Sequence, residues 1–438
     1  MKPLQVGLLG MGTVGNGTWT VLRRNEEEIT RRAGRPIRIT WIAERAIDVA
    51  RERTRGAQGI NLTSDAHEVL AHPDIDIVVE LIGGIEPART FILEAIANGK
   101  HVVTANKALL ARHGNEIFAA AHAKGVMVAF EAAVAGGIPI IKALREGLTA
   151  NRIEWIAGII NGTSNFILSE MRARGSSFGA ALGEAQQRGY AEADPTYDIE
   201  GIDAAHKLAI MSAIAFGVPM QFEKVYTEGI SKLTQEDIRY AEELGYRIKL
   251  LGITRRAANG IELRVHPTLI PTTRLIANVE GVMNAVLVKG DAVGATMYYG
   301  AGAGAEPTAS AVIADLVDVT RMHTADPENR VPHLAFQPDQ LTDVPFLPIG
   351  EVVTSYYLRM RVDDRPGVLA DITRILADRD ISIDAMIQKE PSEGEEQTDI
   401  ILLTHRVVEK NVVDAIAKIE ALPTVSGSIV RIRLEELN

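Results

Sequence analysis

The segment Gly10-Met11-Gly12-Thr13-Val14-Gly15 follows an apolar run and opens a helix-length pattern. Its first glycine allows a tight turn, its second lets backbone amides approach a pyrophosphate, and its third allows close packing of helix on strand. The helix N-terminus then offers amides and a positive dipole end to phosphates. Because a strand precedes it and a helix follows, the motif predicts a dinucleotide-binding loop formed by Gly10, Gly12, Thr13, Val14 and Gly15.

Around this loop, the first 130 residues alternate strand-length apolar runs with helix-length patterns. The apolar runs are 5–9, 37–43, 75–82, 101–104 and 126–130, and the helical patterns are 14–33, 87–98 and 107–123. Runs apolar enough for burial on both faces, separated by helices, are typical of parallel sheets. The sequence therefore predicts a doubly wound α/β domain of Rossmann type over residues 1–130.

After residue 130 the pattern of helix and strand candidates changes twice. Residues 131–304 combine longer helical patterns with amphipathic strand candidates at 246–255, 260–269 and 284–288, which predicts an α+β substrate and dimerisation domain. A helical pattern at 305–323 is expected to complete the first domain. Residues 324–350 hold five prolines and are predicted to form a linker. Residues 351–438 then read β-α-β-β-α-β, a ferredoxin-like unit that we expect to be a separate module.

Composition excludes several classes of function. The 438 residues include no cysteine, so disulfides, thiolate metal sites and thiol nucleophiles are excluded. Acidic side chains outnumber basic ones by 57 to 46 with no basic block, which argues against a nucleic-acid partner. No apolar run approaches the roughly 20 residues that span a bilayer. We therefore expect a cytoplasmic protein that contacts neither membrane nor nucleic acid.

The second apolar run ends at Glu44 and Arg45, where the adenosine ribose of a dinucleotide should lie. An acidic residue there binds the 2′-hydroxyl of NAD, whereas an arginine accommodates the 2′-phosphate of NADP. Both residue types are present, and either charge is also compatible with a solvated loop. We favour NADP through Arg45.

The missing cysteine also narrows the chemistry. It excludes oxidation of an aldehyde through a thiohemiacetal and the zinc ligand set of alcohol dehydrogenases. His67 and His72 are five residues apart, which does not suit a zinc-binding helix face. The remaining chemistry is hydride transfer between an alcohol or amine carbon and a nicotinamide, assisted by a general acid/base.

The best acid/base candidate is the pair Asp203 and Lys207, which lie four residues apart and so share one helix face. Apolar neighbours favour a cleft for this pair, although the same spacing also occurs in surface ion pairs. Upstream, Glu192, Asp194 and Asp198 add carboxylates. Such a set suits a substrate that carries an ammonium group.

Taken together, these motifs resemble those of the homoserine dehydrogenase family, in its long bacterial form with a C-terminal ACT regulatory domain. The matching segments span the chain and are 10–15, 104–107, 130–139, 161–163, 189–195 and the Asp203–Lys207 pair. The resemblance implies an NAD(P)-dependent interconversion of L-homoserine and L-aspartate 4-semialdehyde. In that family the reaction belongs to threonine, methionine and isoleucine biosynthesis.

The resemblance also implies roles for individual residues. Lys207 is expected to be the acid/base at the substrate oxygen, with Asp203 in the same polar network and Lys107 near the nicotinamide and the substrate. Glu192 is expected to bind the substrate ammonium. The other implied residues are Gly162, Thr163, Tyr190 and Asp198 at the substrate, and Thr104 and Gly304 at the cofactor.

Two further sites are implied in the same way. The carboxylate of Glu131 and the carbonyls of Val134, Gly136 and Ile138 are expected to hold a monovalent cation, sodium or potassium; the alternative is a glycine turn that only joins two domains. Asp364, Gly367 and Val368 lie in the ACT loop, which implies threonine feedback inhibition. Here the alternative is a module that serves only oligomerisation. Paired ACT domains imply a homodimer or homotetramer.

Two other functions remain open at this stage. One is a sugar- or inositol-type oxidoreductase, which shares the lysine turn at 104–107 but lacks the set Glu192, Asp203 and Lys207. The other is an amino-acid sensor whose dehydrogenase body has lost activity. The intact glycine motif argues against this sensor hypothesis.

Overall fold

The computed structural model describes residues 2–391 and 394–438. Its first part alternates strands and helices around one parallel sheet. The strands are β1 (Leu4–Leu9), β2 (Ile37–Ala43), β3 (Asn61–Thr63), β4 (Ile77–Glu80), β5 (His101–Thr104) and β6 (Val128–Ala129). The helices are α1 (Thr13–Arg24), α2 (Glu26–Ala33), α3 (Ile47–Arg53), α4 (Ala66–Ala71), α5 (Ala88–Ala97) and α6 (Lys107–Lys124).

This sheet has the order β3-β2-β1-β4-β5-β6 with every pair parallel. The predicted doubly wound Rossmann-type sheet is confirmed. The strand order reverses between β1 and β4, and ligands of such sheets bind at this switch point. The helical pattern predicted at 14–33 is two helices, because Asn25 leaves helical geometry and caps α1.

The middle of the chain mixes helices with mostly antiparallel strands. Its helices are α7 (Ile140–Lys142), α8 (Gly162–Arg174), α9 (Phe178–Gln187), α10 (Thr196–Ile199), α11 (Ile202–Phe216), α12 (Gln235–Glu243) and α13 (Ala305–Met322). Its strands are β7 (Ile153–Ile159), β8 (Tyr226–Thr227), β9 (Tyr246–Ala257), β10 (Gly260–Pro271), β11 (Met283–Gly290) and β12 (Gly294–Ala301). The three predicted strands correspond to β9, β10 and β11, whereas β7, β12, α8 and α9 were not predicted.

The last part follows the predicted β-α-β-β-α-β order with one short extra strand. It consists of β13 (Val353–Asp363), α14 (Val368–Ala377), β14 (Ile383–Gln388), β15 (Gln397–Thr404), β16 (Val407–Val408), α15 (Glu409–Glu420) and β17 (Val425–Leu434). The four long strands pair antiparallel in the order β17-β13-β15-β14. This is the ferredoxin-like arrangement, so the third part of the fold prediction is also confirmed.

The chain forms two compact units. The first contains residues 1–162, 203–225 and 283–344, and the second contains 163–202, 226–282 and 345–438. In the first unit α13 lies so close to α1 that a Cβ on Gly17 would come within 2.4 Å of the carbonyl oxygen of Ala305. None of the helices in the described parts of the chain is both long and apolar enough to cross a bilayer.

Residues 351–438 contain a hydrophobic core of their own, formed by side chains between Tyr356 and Ile429, and are also joined to strands that precede them. Within the second unit, β17 continues the sheet by pairing in parallel with β10, at Thr268 with Arg433 and Leu269 with Leu434. The buried guanidinium of Arg264 on β10 donates to the carboxylate of Glu435 at 2.5 Å. Strand pairing and a buried ion pair therefore join this domain to the strands that precede it.

Candidate active site

The glycine loop has the geometry of an anion cradle. Gly10 has φ 92°, a left-handed conformation that favours glycine. A Cβ on Gly15 would lie 2.2 Å from the carbonyl oxygen of Gly10. Gly12 caps α1, and no side chain of the described residues caps this helix end. The first amides of α1 are thus left to a ligand, and the loop fits a pyrophosphate.

Two charged side chains brace this loop. The carboxylate of Glu44 accepts the amide of Met11 at 2.7 Å and that of Ala46 at 3.1 Å. Arg53, which was not singled out in the sequence, donates to the carbonyls of Met11 and Gly12, the latter at 2.9 Å. Glu44 therefore holds the loop. Arg45 lines the adjoining cleft of about 410 Å³.

Thr104 lies at the end of β5 in the same unit and is fully buried. Its hydroxyl donates to the carboxylate of Glu80 at 2.7 Å and accepts the amide of Asn106 at 3.0 Å. The same carboxylate accepts the amides of Ile82 and Gly83. Thr104 thus shapes the strand ends around the cleft rather than presenting a free hydroxyl. Gly304 caps the N-terminus of α13 with φ 127°.

The lysines and the aspartate predicted at the reacting centre lie together in the first unit. Lys207 and Asp203 on α11 form an ion pair of 2.6 Å, and the ammonium of Lys207 also donates to the carbonyl of Ile160 at 2.8 Å. Lys107, at the start of α6, reaches the other carboxylate oxygen of Asp203 at 3.0 Å. Asn161 donates to Asp203 at 2.9 Å. One buried carboxylate therefore orients two ammonium groups.

The electrostatics of this cluster keep the carboxylate ionised. Burial by itself raises the pKa of Asp203, but the charges of Lys207 and Lys107 hold that pKa well below its usual value. Burial lowers the pKa of His206 to about 4, so this ring, which stacks on Phe222, is neutral near pH 7. Lys207 is buried whereas the side chain of Lys107 is 40% exposed. Lys107 therefore lies at the open side of the cluster.

The residues predicted to bind the substrate all lie in the chain segment 162–198. Gly162 belongs to the first unit, and the others belong to the second unit. Gly162 begins α8, and the hydroxyl of Thr163 donates to the carbonyl of Tyr190 at 2.6 Å. Glu192 is exposed in the following segment. Asp198 lies on α10, where its backbone carbonyl accepts the hydroxyl of Ser164 at 2.8 Å. Helix α8 thus holds the segment 190–198, which carries the candidate carboxylates.

At the predicted cation turn, backbone amides hold the carboxylate of Glu131. Both carboxylate oxygens of Glu131 accept backbone amides, from Ile141 at 2.9 Å and Lys142 at 2.8 Å. Each oxygen keeps a second lone pair, so these contacts fix the direction of the carboxylate and leave it a candidate cation ligand. Among the described residues no group of three or more acidic, histidine or cysteine side chains could hold a metal ion.

The backbone of this turn keeps the features of an oxygen cage. Ala135 and Gly136 have φ values of 55° and 46°, and such consecutive left-handed residues reverse the direction of their carbonyls. Val134 and Ile138 flank them. The buried carboxylate of Asp315 fixes the start of the turn by accepting the amide of Glu131 at 2.8 Å. The carbonyls remain candidates for a cation.

In the second unit, the predicted effector loop leads into α14. Gly367 caps this helix with φ 97°, Val368 is buried, and the amide of Asp364 donates to the carbonyl of Glu396 at 2.9 Å. As at Gly12, no described side chain caps the helix end. These amides offer a site for a small anionic group such as a carboxylate.

A dinucleotide loop at the switch point of a Rossmann-type sheet, with a buried lysine–aspartate pair in the same unit, defines a dinucleotide-dependent oxidoreductase. Family profiles agree with this class. The NAD-binding domain of homoserine dehydrogenase matches residues 10–131, homoserine dehydrogenase itself matches 139–317, and the ACT domain matches 356–424. The chain belongs to the homoserine dehydrogenase family.

Full-length relatives support this membership. Homoserine dehydrogenase of Pseudomonas aeruginosa is 64% identical over 439 residues, covering 100% of both chains. The crystal structure of a homoserine dehydrogenase from Thiobacillus denitrificans has 74% identity and a TM-score of 0.96, covering 100% of this chain and 99% of that one. A hyperthermophilic archaeal homoserine dehydrogenase in complex with NADPH is 25% identical with a TM-score of 0.63, covering 73% and 98%. A sugar- or inositol-type oxidoreductase is thereby excluded.

The loop geometry makes a first prediction. Gly15→Ala is expected to weaken dinucleotide binding about tenfold, because the new Cβ would press on the carbonyl of Gly10 and displace the loop amides. Titration of the protein with the dinucleotide, followed by fluorescence, measures this. The matched control is Gly183→Ala on α9, where a Cβ meets open space. Equal affinity in Gly15→Ala and the wild type would contradict the assigned loop.

Proposed function

We propose that this protein interconverts L-homoserine and L-aspartate 4-semialdehyde with NAD(P), in the biosynthesis of threonine, methionine and isoleucine. The observation that carries the proposal is the cluster in which Asp203 holds Lys207 at 2.6 Å and Lys107 at 3.0 Å, in a chain of the homoserine dehydrogenase family. An ionised carboxylate beside two lysines suits proton transfer at an alcohol oxygen.

Three side chains have different proposed roles in the oxidation of homoserine. The primary alcohol of homoserine loses a hydride from its carbon and a proton from its oxygen, and the products are the aldehyde, the reduced dinucleotide and a proton. The bound nicotinamide supplies the hydride acceptor. In the oxidation, Lys207 first loses a proton to solvent and its neutral amine then takes the proton of the substrate hydroxyl; in the reverse direction its ammonium donates that proton. Asp203 orients the group. Lys107 contributes a positive charge that stabilises an alkoxide.

The amino-acid end of the substrate is assigned to residues of the chain segment 162–198. Glu192 is proposed to bind the ammonium group, because it is an exposed carboxylate in a segment that is fixed by backbone contacts. Asp198 adds a second carboxylate in the same segment. Gly162, Thr163 and Tyr190 are proposed to line the pocket.

NADP is the proposed cofactor. Glu44 already accepts two backbone amides, which leaves Arg45 as the group in the cleft that suits a 2′-phosphate. The complex of the archaeal relative with NADPH supports this choice. Thr104 and Gly304 are proposed to contribute backbone around the cleft. Sodium or potassium is proposed at the carboxylate of Glu131 and the carbonyls of Val134, Gly136 and Ile138.

Formation of NAD(P)H at 340 nm tests the proposed reaction. Purified protein is supplied with L-homoserine and either NAD or NADP, with sodium or potassium present or absent, and the aldehyde is trapped as a hydrazone. We expect turnover, with NADP preferred, and aspartate 4-semialdehyde as the trapped product. Binding of the dinucleotide without turnover would instead support the sensor hypothesis.

The loop before α14 is the proposed site of feedback regulation. L-Threonine is proposed as an inhibitor that binds the loop containing Asp364, Gly367 and Val368. Replacing Asp364 with Ala is expected to raise the threonine concentration for half-inhibition about tenfold, since a charged hydrogen bond is worth roughly 1.5–3 kcal/mol. Asp378→Ala, at the other end of α14, is the control. A wild-type enzyme unaffected by threonine would leave the domain with a role in forming a homodimer or homotetramer only.

A further inference from the structure

Helix α8 contacts the candidate substrate segment through a residue that none of the assignments above uses. Ser164 is fully buried, and its hydroxyl donates to the backbone carbonyl of Asp198 at 2.8 Å. The amide of Gly201 donates to the same carbonyl at 3.2 Å, so the short helix α10 is held from two sides. The position of the Asp198 carboxylate therefore depends on where Ser164 lies.

A buried lysine fixes the position of this part of α8. Lys249 on β9 is 2% exposed, and its ammonium donates to the side-chain oxygen of Asn165 at 3.1 Å and to the carbonyl of Val279 at 2.6 Å. Asn165 in turn donates to the carbonyls of Val279 and Gly281 at 3.2 and 2.9 Å. A second residue of the helix, Ser169, accepts the amide of Gly281 at 3.0 Å. The helix is thus tied to β9 and to the segment 279–281, which follows β10.

Burying an ammonium group is costly unless hydrogen bonds replace its water. Here two protein oxygens do so within 3.1 Å, and the carboxylate of Glu280 lies 3.5 Å away. Arg172 and Arg247 contact the same carboxylate at 3.3 and 3.2 Å. The network leaves α8 little freedom to slide or rotate.

We propose that Ser164 is a positioning residue for the amino-acid end of the substrate, and that Asn165 and Lys249 keep Ser164 in place. The hydroxyl of Ser164 fixes the position of the segment 190–198 by donating to the carbonyl of Asp198, while Lys249 and Asn165 hold α8 against β9. This inference rests on the proposed function and deepens it. The proton-transfer cluster at Lys207 involves none of these three residues, so binding of the amino acid and the chemical step are expected to separate experimentally.

The test uses the full-length protein and steady-state kinetics with L-homoserine and NADP. Ser164→Ala is expected to raise the KM for L-homoserine about tenfold, because it leaves the carbonyl of Asp198 without one buried donor. The kcat and the KM for NADP are expected to change less than twofold. Ser164→Thr retains the hydroxyl and is expected to restore most of the KM. Ser231→Ala, an exposed serine in the same unit, is the control.

Lys249→Met tests the support of the helix independently. It removes the ammonium but keeps a long apolar chain, and we expect the KM for L-homoserine to rise several-fold with little change in the KM for NADP. Melting temperatures of all variants are measured in parallel. If Lys249→Met does not fold, the comparison of Ser164→Ala with Ser164→Thr still decides the role of Ser164.

The outcomes separate this inference from the proposed function. No turnover of L-homoserine by the wild type would overturn the proposed function itself. Turnover by the wild type with an unchanged KM in Ser164→Ala would overturn the positioning role alone. A lower kcat together with similar rises in the KM for L-homoserine and the KM for NADP, accompanied by a lower melting temperature, would show a general structural role. That result would also overturn the positioning role.

Discussion

Lys207→Met is expected to lower kcat by roughly 10²–10⁴-fold, the contribution typical of a general acid/base. The variant removes the ammonium that lies 2.6 Å from Asp203 and 2.8 Å from the carbonyl of Ile160, while a chain of similar length fills its place. The glycine loop is untouched, so the affinity for NADP is expected to persist. Stopped-flow and steady-state absorbance at 340 nm measure the loss.

Lys100→Met is the matched control for this prediction. Lys100 is also buried in the first unit, and its ammonium also donates to backbone carbonyls, those of His72 and Ile75. Its replacement is expected to lower stability without a comparable loss in kcat. A Lys207→Met enzyme with wild-type kcat would remove Lys207 from the mechanism.

Removal of residues 345–438 is expected to unfold the second unit rather than to yield a regulation-free enzyme. The truncation would take β17 from β10 and leave the guanidinium of Arg264, which is 1% exposed in the intact protein, without Glu435. Glu262 would still contact Arg264, but a buried guanidinium that loses one of two carboxylate partners is destabilised, and β10 would also lose the strand beside it. Circular dichroism and limited proteolysis of the truncated chain measure the result. A cooperative melt like that of the full chain would contradict this prediction.

A point substitution isolates the ion pair within this prediction. Glu435→Gln is expected to lower the free energy of unfolding by about 3 kcal/mol, the lower end of the range for breaking a buried pair, because Glu262 still contacts Arg264. Urea denaturation measures the change, with the exposed neighbour Glu436→Gln as control. Equal stability of the two variants would show that the pair contributes nothing.

The pair also has a pH signature. Burial alone raises the pKa of Glu435, but Arg264 and Arg255 lower it to about 2 in the folded protein. The unfolded value is about 4.3. Since the folded pKa is the lower one, the stabilisation is present above pH 4.3 and is lost as the pH falls towards 2. The stability of Glu435→Gln is expected to decline less than that of the wild type over this interval.

The sequence was sufficient for features that depend on local spacing. The glycine loop follows from three glycines between a strand and a helix, and the Asp203–Lys207 contact follows from a spacing of four residues on one helix. The expected position of Lys107 near the nicotinamide and the substrate rests on the family resemblance. The structure adds that its ammonium lies 3.0 Å from the carboxylate of Asp203. These features require no knowledge of distant pairing.

Features that depend on distant pairing were missed. The parallel contact of β10 with β17 joins residues more than 150 positions apart, and no local pattern marks it. The contacts of Glu131 illustrate the same limit, because its carboxylate accepts amides ten and eleven residues further along the chain. Helix α8 was missed since its first turn, Gly162-Thr163-Ser164-Asn165, is polar, although most of these side chains are buried against other polar groups.

The proposed reaction moves a hydride from C4 of L-homoserine to a nicotinamide while the neutral amine of Lys207 takes the hydroxyl proton. L-Homoserine carrying two deuterium atoms at C4, incubated with the protein and NADP, tests this most directly by mass spectrometry of the reduced cofactor. We expect NADPH one mass unit heavier than that formed from ordinary homoserine. Reduced cofactor without deuterium, or no reduced cofactor with either NADP or NAD, would contradict the account.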